Sequence, residues 1–256
     1  MSATPRLFVT SDLSAGTAIA MDDEQSNYLL RVLRLQVGAP VRVFNGRDGE
    51  WAGEISAVQG KRASLVPVEQ VRLQPETPAS APVLLFAPVK KAETDFIVEK
   101  ATELGAARIC PVLTERTQTR TVRLDRFQKI ALEAAEQTER LDLPEVEDLQ
   151  TLAGALDALE AGTLVIFCDE RGDEEGAPWG GDTGRAGPVA DVLAGLGDQK
   201  VAILIGPEGG FTPEERTWLR GRGHTRAVSL GPRILRAETA AVAALSVWQA
   251  LRGDWR

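Results

Sequence analysis

From residue 83 onward, short apolar runs alternate with longer amphipathic stretches. The runs are Val83 to Ala87, Ile109 to Leu113, Leu164 to Cys168, Val201 to Ile205 and Ala227 to Leu230. Unbroken apolar runs of this length suit strands covered on both faces. The stretches between them carry helix signals. Glu93 to Leu104 stops at Gly105, a residue suited to a left-handed C-terminal cap. Leu124 to Leu141 is amphipathic and stops before Pro144. Thr212-Pro213-Glu214-Glu215 joins an N-cap, a proline at the first helical position and a glutamate at the third, so a helix starts there and runs to about Leu219. Thr239 to Leu251 is alanine-rich and apolar on several sides, which predicts deep burial or a subunit contact. The alternation predicts an α/β domain with a mainly parallel sheet.

The first part of the chain reads differently. Val41 to Phe44, Trp51 to Ile55 and Ala63 to Val66 are short strand-like segments separated by glycine-bearing turns, as in a small antiparallel β-barrel. Only Glu24 to Leu35 looks helical there. Gln74 to Pro82 is proline-rich and can continue neither a helix nor a central strand. The expected organisation is therefore a domain over residues 1–74, a linker over 75–82 and a second domain over 83–256. Arg171 to Pro188, rich in glycine and without apolar periodicity, is expected to be a mobile loop.

Composition narrows the chemistry. The 256 residues are 43% hydrophobic and 26% charged, as in an ordinary globular protein. No apolar run approaches the roughly 20 residues of a membrane span, and the N-terminus lacks a signal-peptide pattern, so a cytoplasmic protein with no membrane partner is expected. A net charge of −8 argues against indiscriminate nucleic-acid binding. Residues 1–75 are balanced, however, which leaves the excess acid to the second part and the first less repulsive to phosphate. His224, in a Gly-flanked turn, is the only histidine, and Cys110 and Cys168 sit in apolar runs, so no metal site is expected.

Two loops follow buried strands, where open α/β sheets bind ligands. One is Gly206-Pro207-Glu208-Gly209-Gly210-Phe211, whose glycines permit close approach of another molecule. The other is Leu230-Gly231-Pro232-Arg233-Ile234-Leu235-Arg236-Ala237-Glu238-Thr239, where charges flank an Ile-Leu pair just before the last helix. Neither matches a phosphate-binding P-loop or a Rossmann fingerprint.

Taken together, LIGPEGGFTPEE and VSLGPRILRAETAAVAAL resemble the paired signatures of the RsmE family, in the SPOUT class of S-adenosylmethionine (SAM) dependent methyltransferases. KKAETDFIVEKATELGAARICPVLTERTQTR and LEAAEQTERLDLP resemble further segments of that family, and RVLRLQVGAPVRVFNGRDGEWAGEI resembles its PUA-like barrel. Asn27 and Thr117 stand where relatives often have histidine and serine. The resemblance implies a SPOUT domain with a deep trefoil knot behind a small PUA-like β-barrel. It implies a homodimer that methylates N3 of a decoding-region uridine of 16S rRNA in the small ribosomal subunit, with SAM as methyl donor. Gly206, Glu208, Gly209 and Gly210 would then line the methionine and ribose. Leu230, Gly231, Ile234, Leu235, Arg236, Thr239 and Ala240 would wrap the adenine and the sulfonium. Methylation of another RNA position and a non-catalytic assembly factor are the rival readings.

Uridine N3 is a weak acid. If its pKa lies about two units above ambient pH, presenting the anion costs roughly 3 kcal/mol. An arginine beside the uracil oxygens offsets much of this, with Arg236 the first candidate and Arg233 the second. Glu238, Glu208 or water could take the proton. Arg236 and Glu238 could equally form a structural ion pair. For RNA contact the candidates are Arg6, Arg31 and Arg34, together with Arg116, Arg120, Arg123 and Arg126, which would form a basic strip if that stretch were helical.

Overall fold

The computed structural model describes residues 4–75, 81–169 and 186–255. Most of the expected loop over 171–188 and the middle of the proline-rich segment lie outside the described residues. The chain divides into two compact units. One comprises Met1–Glu76 with Ala135–Leu143, and the other Thr77–Ala134 with Pro144–Arg256. The second unit is thus not one continuous stretch, because a piece from its middle belongs to the first.

The first unit contains β1 (Arg6–Phe8), β2 (Ile19–Ala20), α1 (Asp23–Asn27), β3 (Pro40–Phe44), β4 (Glu50–Gln59) and β5 (Arg62–Arg72). Its sheet runs β1-β3-β4-β5-β2 and is antiparallel apart from the pair β1/β3, which is parallel. The helical stretch is tightly started: Asp22 accepts from Gln25 N at 2.7 Å while Gln25 returns a bond to Asp22 N. It then widens into a π-helical turn over Tyr28–Val32.

A buried charge cluster holds this unit together. Arg6 Nε donates to Glu50 Oε1 at 2.5 Å, and its other nitrogens donate to the carbonyls of Ala135 and Arg140 at 2.7 and 2.6 Å. The guanidinium lies 3.8 Å from the centre of the Phe44 ring. Arg42 and Arg72 stand 3.6 and 3.7 Å from the second oxygen of the fully buried Glu50. Burial, partly offset by Glu50, lowers the pKa of Arg6. Arg6, expected on the RNA-facing surface, is 8% exposed and committed to internal bonds.

The second unit contains β6 (Val83–Phe86), α2 (Lys91–Glu103), β7 (Arg108–Leu113), α3 (Leu124–Gln137, whose last residues belong to the first unit), β8 (Glu145–Val146), β9 (Gln150–Thr151) and α4 (Leu152–Asp157). It continues with β10 (Leu164–Cys168), α5 (Val189–Ala194), β11 (Val201–Ile205), α6 (Pro213–Arg220), β12 (Thr225–Val228) and α7 (Ala237–Arg252). The sheet order is β12-β10-β11-β6-β7-β8, with β9 also on β7, and every described pairing is parallel. Alternate residues face opposite cores, as strand geometry requires. Leu84, Phe86, Ile109, Ile166 and Ile203 pack under α2, α5 and α7, whereas Leu85, Cys110, Val165, Phe167 and Leu204 pack under α4 and α6. Cys110 is one of these core residues, and burial pushes its thiol up to about 12. No described helix is long and apolar enough to cross a membrane.

Candidate functional site

The carboxyl ends of β12, β10, β11 and β6 lie in a row, and the segments leaving them enclose a cavity of about 410 Å³. That volume suits a small organic ligand. After β11, a turn closed by Gly210 N to Pro207 O at 2.8 Å puts Gly210 at φ +65°, where a side chain is strained. A Cβ on Gly206 would come within 2.9 Å of the Phe211 ring, which meets Phe167 edge-on. Thr212 accepts from Glu215 N at 3.2 Å and Glu215 returns to Thr212 N at 2.9 Å, so the loop feeds a capped α6. Arg116 Nη1 donates to Gly209 O at 2.8 Å and Glu215 accepts from Glu115 N, tying the loop to the end of β7.

At the end of β10, Asp169 accepts from Arg216 Nε at 2.8 Å and Arg220 Nη2 at 3.1 Å. A buried carboxylate met by two guanidiniums anchors α6 against the cavity floor. After β12, Ser229 and Gly231 bond to each other, and Gly231 has φ +111°. The chain then passes Arg233, exposed Ile234 and half-buried Leu235 before Arg236 caps α7. The wall therefore offers an apolar slot after β12, glycine backbone after β11 and, after the neighbouring β6, Lys90 and Glu93 from the start of α2.

A family profile described as an RNA methyltransferase domain matches residues 75–249, and one described as an RNA methyltransferase PUA domain matches residues 21–68. Ribosomal RNA small subunit methyltransferase E of Rickettsia conorii is 32% identical, over 94% of this chain and 93% of that protein. The chain belongs to the small-subunit methyltransferase E family. Its relative in Synechocystis is 33% identical over 96% of this chain and 77% of that one. The crystal structure of the Neisseria gonorrhoeae family member bound to S-adenosyl methionine has 28% identity and a TM-score of 0.85, covering 99% of this chain and all of that one. A Legionella pneumophila structure with bound SAM has 28% identity and a TM-score of 0.79. The family brings with it the SPOUT fold and the PUA-like first domain.

Within this family member, the structure brings Gly206, Glu208, Gly210, Leu230, Gly231, Ile234, Leu235 and Ala240 to the cavity, with Arg233, Arg236 and Glu238. Gly209 and Thr239 do not line it. Gly209 instead offers its carbonyl to Arg116, and Thr239 is exposed on α7. Arg236 and Glu238 form no ion pair among the described residues, so the structural alternative for them is absent here. Lys90, Glu93, Asp169 and Ser229 were not singled out in the sequence. The signal available was their place in the segments that leave strands β6, β10 and β12. The basic strip does not form as a helix face: residues 117–123 lie outside any helix, Arg123 pairs with Asp125, and Arg126 pairs with Asp95.

Proposed function

We propose that this chain transfers a methyl group from SAM to N3 of a decoding-region uridine of 16S rRNA in the small ribosomal subunit. The observation that carries the reading is the cavity formed by the two signature loops in a chain of this family. The wall suits the donor chemically. Arg233 and Arg236 oppose Glu208 and Glu238 in sign, as a zwitterion with a sulfonium requires, and Leu230, Ile234 and Leu235 form an apolar slot for a purine. When bound, SAM supplies an already electrophilic methyl carbon. The chain's own task is to hold the uracil in line and favour its N3 anion. Arg236, at the N-cap of α7 and free of ion pairs among the described residues, is placed to meet charge on a uracil oxygen, with Arg233 next. Arg31, Arg34 and Arg120 are exposed and unpaired among the described residues, and they are our choice for phosphate contact.

A trefoil knot and a homodimer belong to the same reading. The order β12-β10-β11 sets β12 on the far side of β10 from β11, and loops after all three strands meet at one cavity, which supports the knot. Val242, Ala243 and Val247 leave an apolar, half-exposed side on α7, which supports pairing there in the cytoplasm.

The test is to incubate the protein with labelled SAM and small subunits lacking the modification, then identify the product nucleoside by mass spectrometry. A single 3-methyluridine in the decoding region is expected. A different methylated nucleoside refutes the position, and SAM binding without transfer favours an assembly factor.

A further inference from the structure

The carboxylates around the cavity differ in how they are satisfied. Glu208 is exposed, Glu238 is half-buried, and Asp169 is met by two arginines. Glu93 alone among them has an oxygen, Oε2, that is buried without a hydrogen-bond partner among the described residues. A buried carboxylate oxygen without a donor is costly, so its persistence in a cleft wall points to a donor that arrives with a ligand. The backbone beneath it is fixed. Thr94 Oγ1 accepts from Val89 N at 3.0 Å and donates to Val89 O at 3.1 Å, and Thr119 Oγ1 donates to the same carbonyl at 2.6 Å. Glu93 therefore projects from a first helical turn that is held in place, as a proton-transferring group requires.

Its place in the row of strand ends selects the ligand. Leu230, Gly231, Ile234 and Leu235 follow β12, and an apolar, backbone-lined end suits the purine nucleoside of the donor. Lys90 and Glu93 follow β6 at the opposite end, where Lys90 is exposed to solvent and a base carried on a large RNA can enter.

We propose that Glu93 is the general base of the reaction, accepting the N3 proton of the target uridine, with Lys90 favouring the charge that spreads onto a uracil oxygen. This rests on the function proposed above. The N3–H bond breaks as an O–H bond forms on Glu93, and the electron pair left on N3 takes the methyl carbon. The carbon–sulfur pair returns to sulfur, so the sulfonium charge is lost and one proton passes to the enzyme.

The experiment compares the full-length protein with Glu93→Gln and Glu93→Asp, using small subunits as substrate. It measures single-turnover rates between about pH 6 and 9 and, separately, SAM affinity by calorimetry. Glu93→Gln is expected to lose about 100-fold or more in rate while SAM affinity stays within about twofold. Its residual rate should climb about tenfold per pH unit as N3 ionises unaided. Glu93→Asp keeps a carboxylate and is expected to retain an intermediate rate with the parent's pH profile, so it decides the matter if the glutamine variant does not fold. Full activity in Glu93→Gln, or a loss confined to SAM affinity with the pH profile unchanged, overturns the inference. A parent protein that makes no 3-methyluridine sinks the underlying function, whereas a parent that makes it beside an equally fast Glu93→Gln sinks the role of Glu93 alone.

Discussion

Glu50 in the first unit and Glu93 in the second each have an oxygen, Oε2, that is buried without a hydrogen-bond partner among the described residues, and they differ in the charges that stand near it. Glu50 is bonded to Arg6 and has Arg42 and Arg72 just beyond hydrogen-bond distance. Glu93 Oε2 has no donor among the described residues and borders a cavity. The first arrangement uses a charge to join strands to the segment Ala135–Leu143. The second keeps a charge in reserve for a molecule that is not part of the chain. The same contrast separates Arg6, held by carbonyls and a carboxylate, from Arg236, which has no ion pair among the described residues at the start of α7.

The largest effect expected from this contrast is on stability. Glu50→Gln leaves the Arg6 guanidinium buried without its counter-charge and should cost about 3–5 kcal/mol in urea unfolding. Glu93→Gln should change unfolding by less than about 0.5 kcal/mol, or stabilise, because a site held ready for a ligand carries a stability cost. If the two variants unfold alike, the contrast fails. Arg236→Ala should lower the single-turnover rate about 100- to 1000-fold while the unfolding midpoint holds, and a lowered midpoint with unchanged rate would assign Arg236 to structure instead.

Smaller effects sharpen the picture. Gly210→Ala places a side chain at φ +65° in the signature turn and should cost about 1–2 kcal/mol, read as weaker SAM binding in calorimetry. Asp48 in the first unit accepts from Leu13 N and the Asn45 amide, which hold its carboxyl below the usual aspartate range. A lowered folded pKa means stability that is present above the unfolded value near 4 and lost as pH falls through the folded one. The stability gap between the parent and Asp48→Asn, under about 1 kcal/mol for this mostly solvent-screened group, should therefore close on acidification.

Much of the second unit was legible because strands buried on both faces leave continuous apolar runs, and Leu164–Cys168 and Val201–Ile205 match theirs residue for residue. The two-residue strands β8 and β9 and the six-residue helices α4 and α5 were not legible, since so few residues establish no period. The assignment of Ala135–Leu143 to the first unit depends on contacts far apart in sequence, such as Arg6 with Arg140, which no local pattern encodes. The signature loops were read as a site from their place after strands, but Glu93 has the look of any charge on an amphipathic helix. Only a buried oxygen without a donor among the described residues distinguishes it. Arg116 shows how little a lone arginine specifies: arginine suits phosphate and peptide carbonyls equally, and here one nitrogen donates to the carbonyl of Gly209.

The carbonyls that receive Arg6 come from residues 135 and 140, well over a hundred positions downstream. During synthesis the first unit is therefore still incomplete when its sheet has emerged. Its buried arginine waits for a segment that reaches it only after two strands and a helix of the second unit have been made. A polypeptide ending at residue 76 would carry that arginine with its glutamate but without its peptide acceptors, so the first unit needs the chain as far as Leu143 and is not a module of its first 76 residues alone.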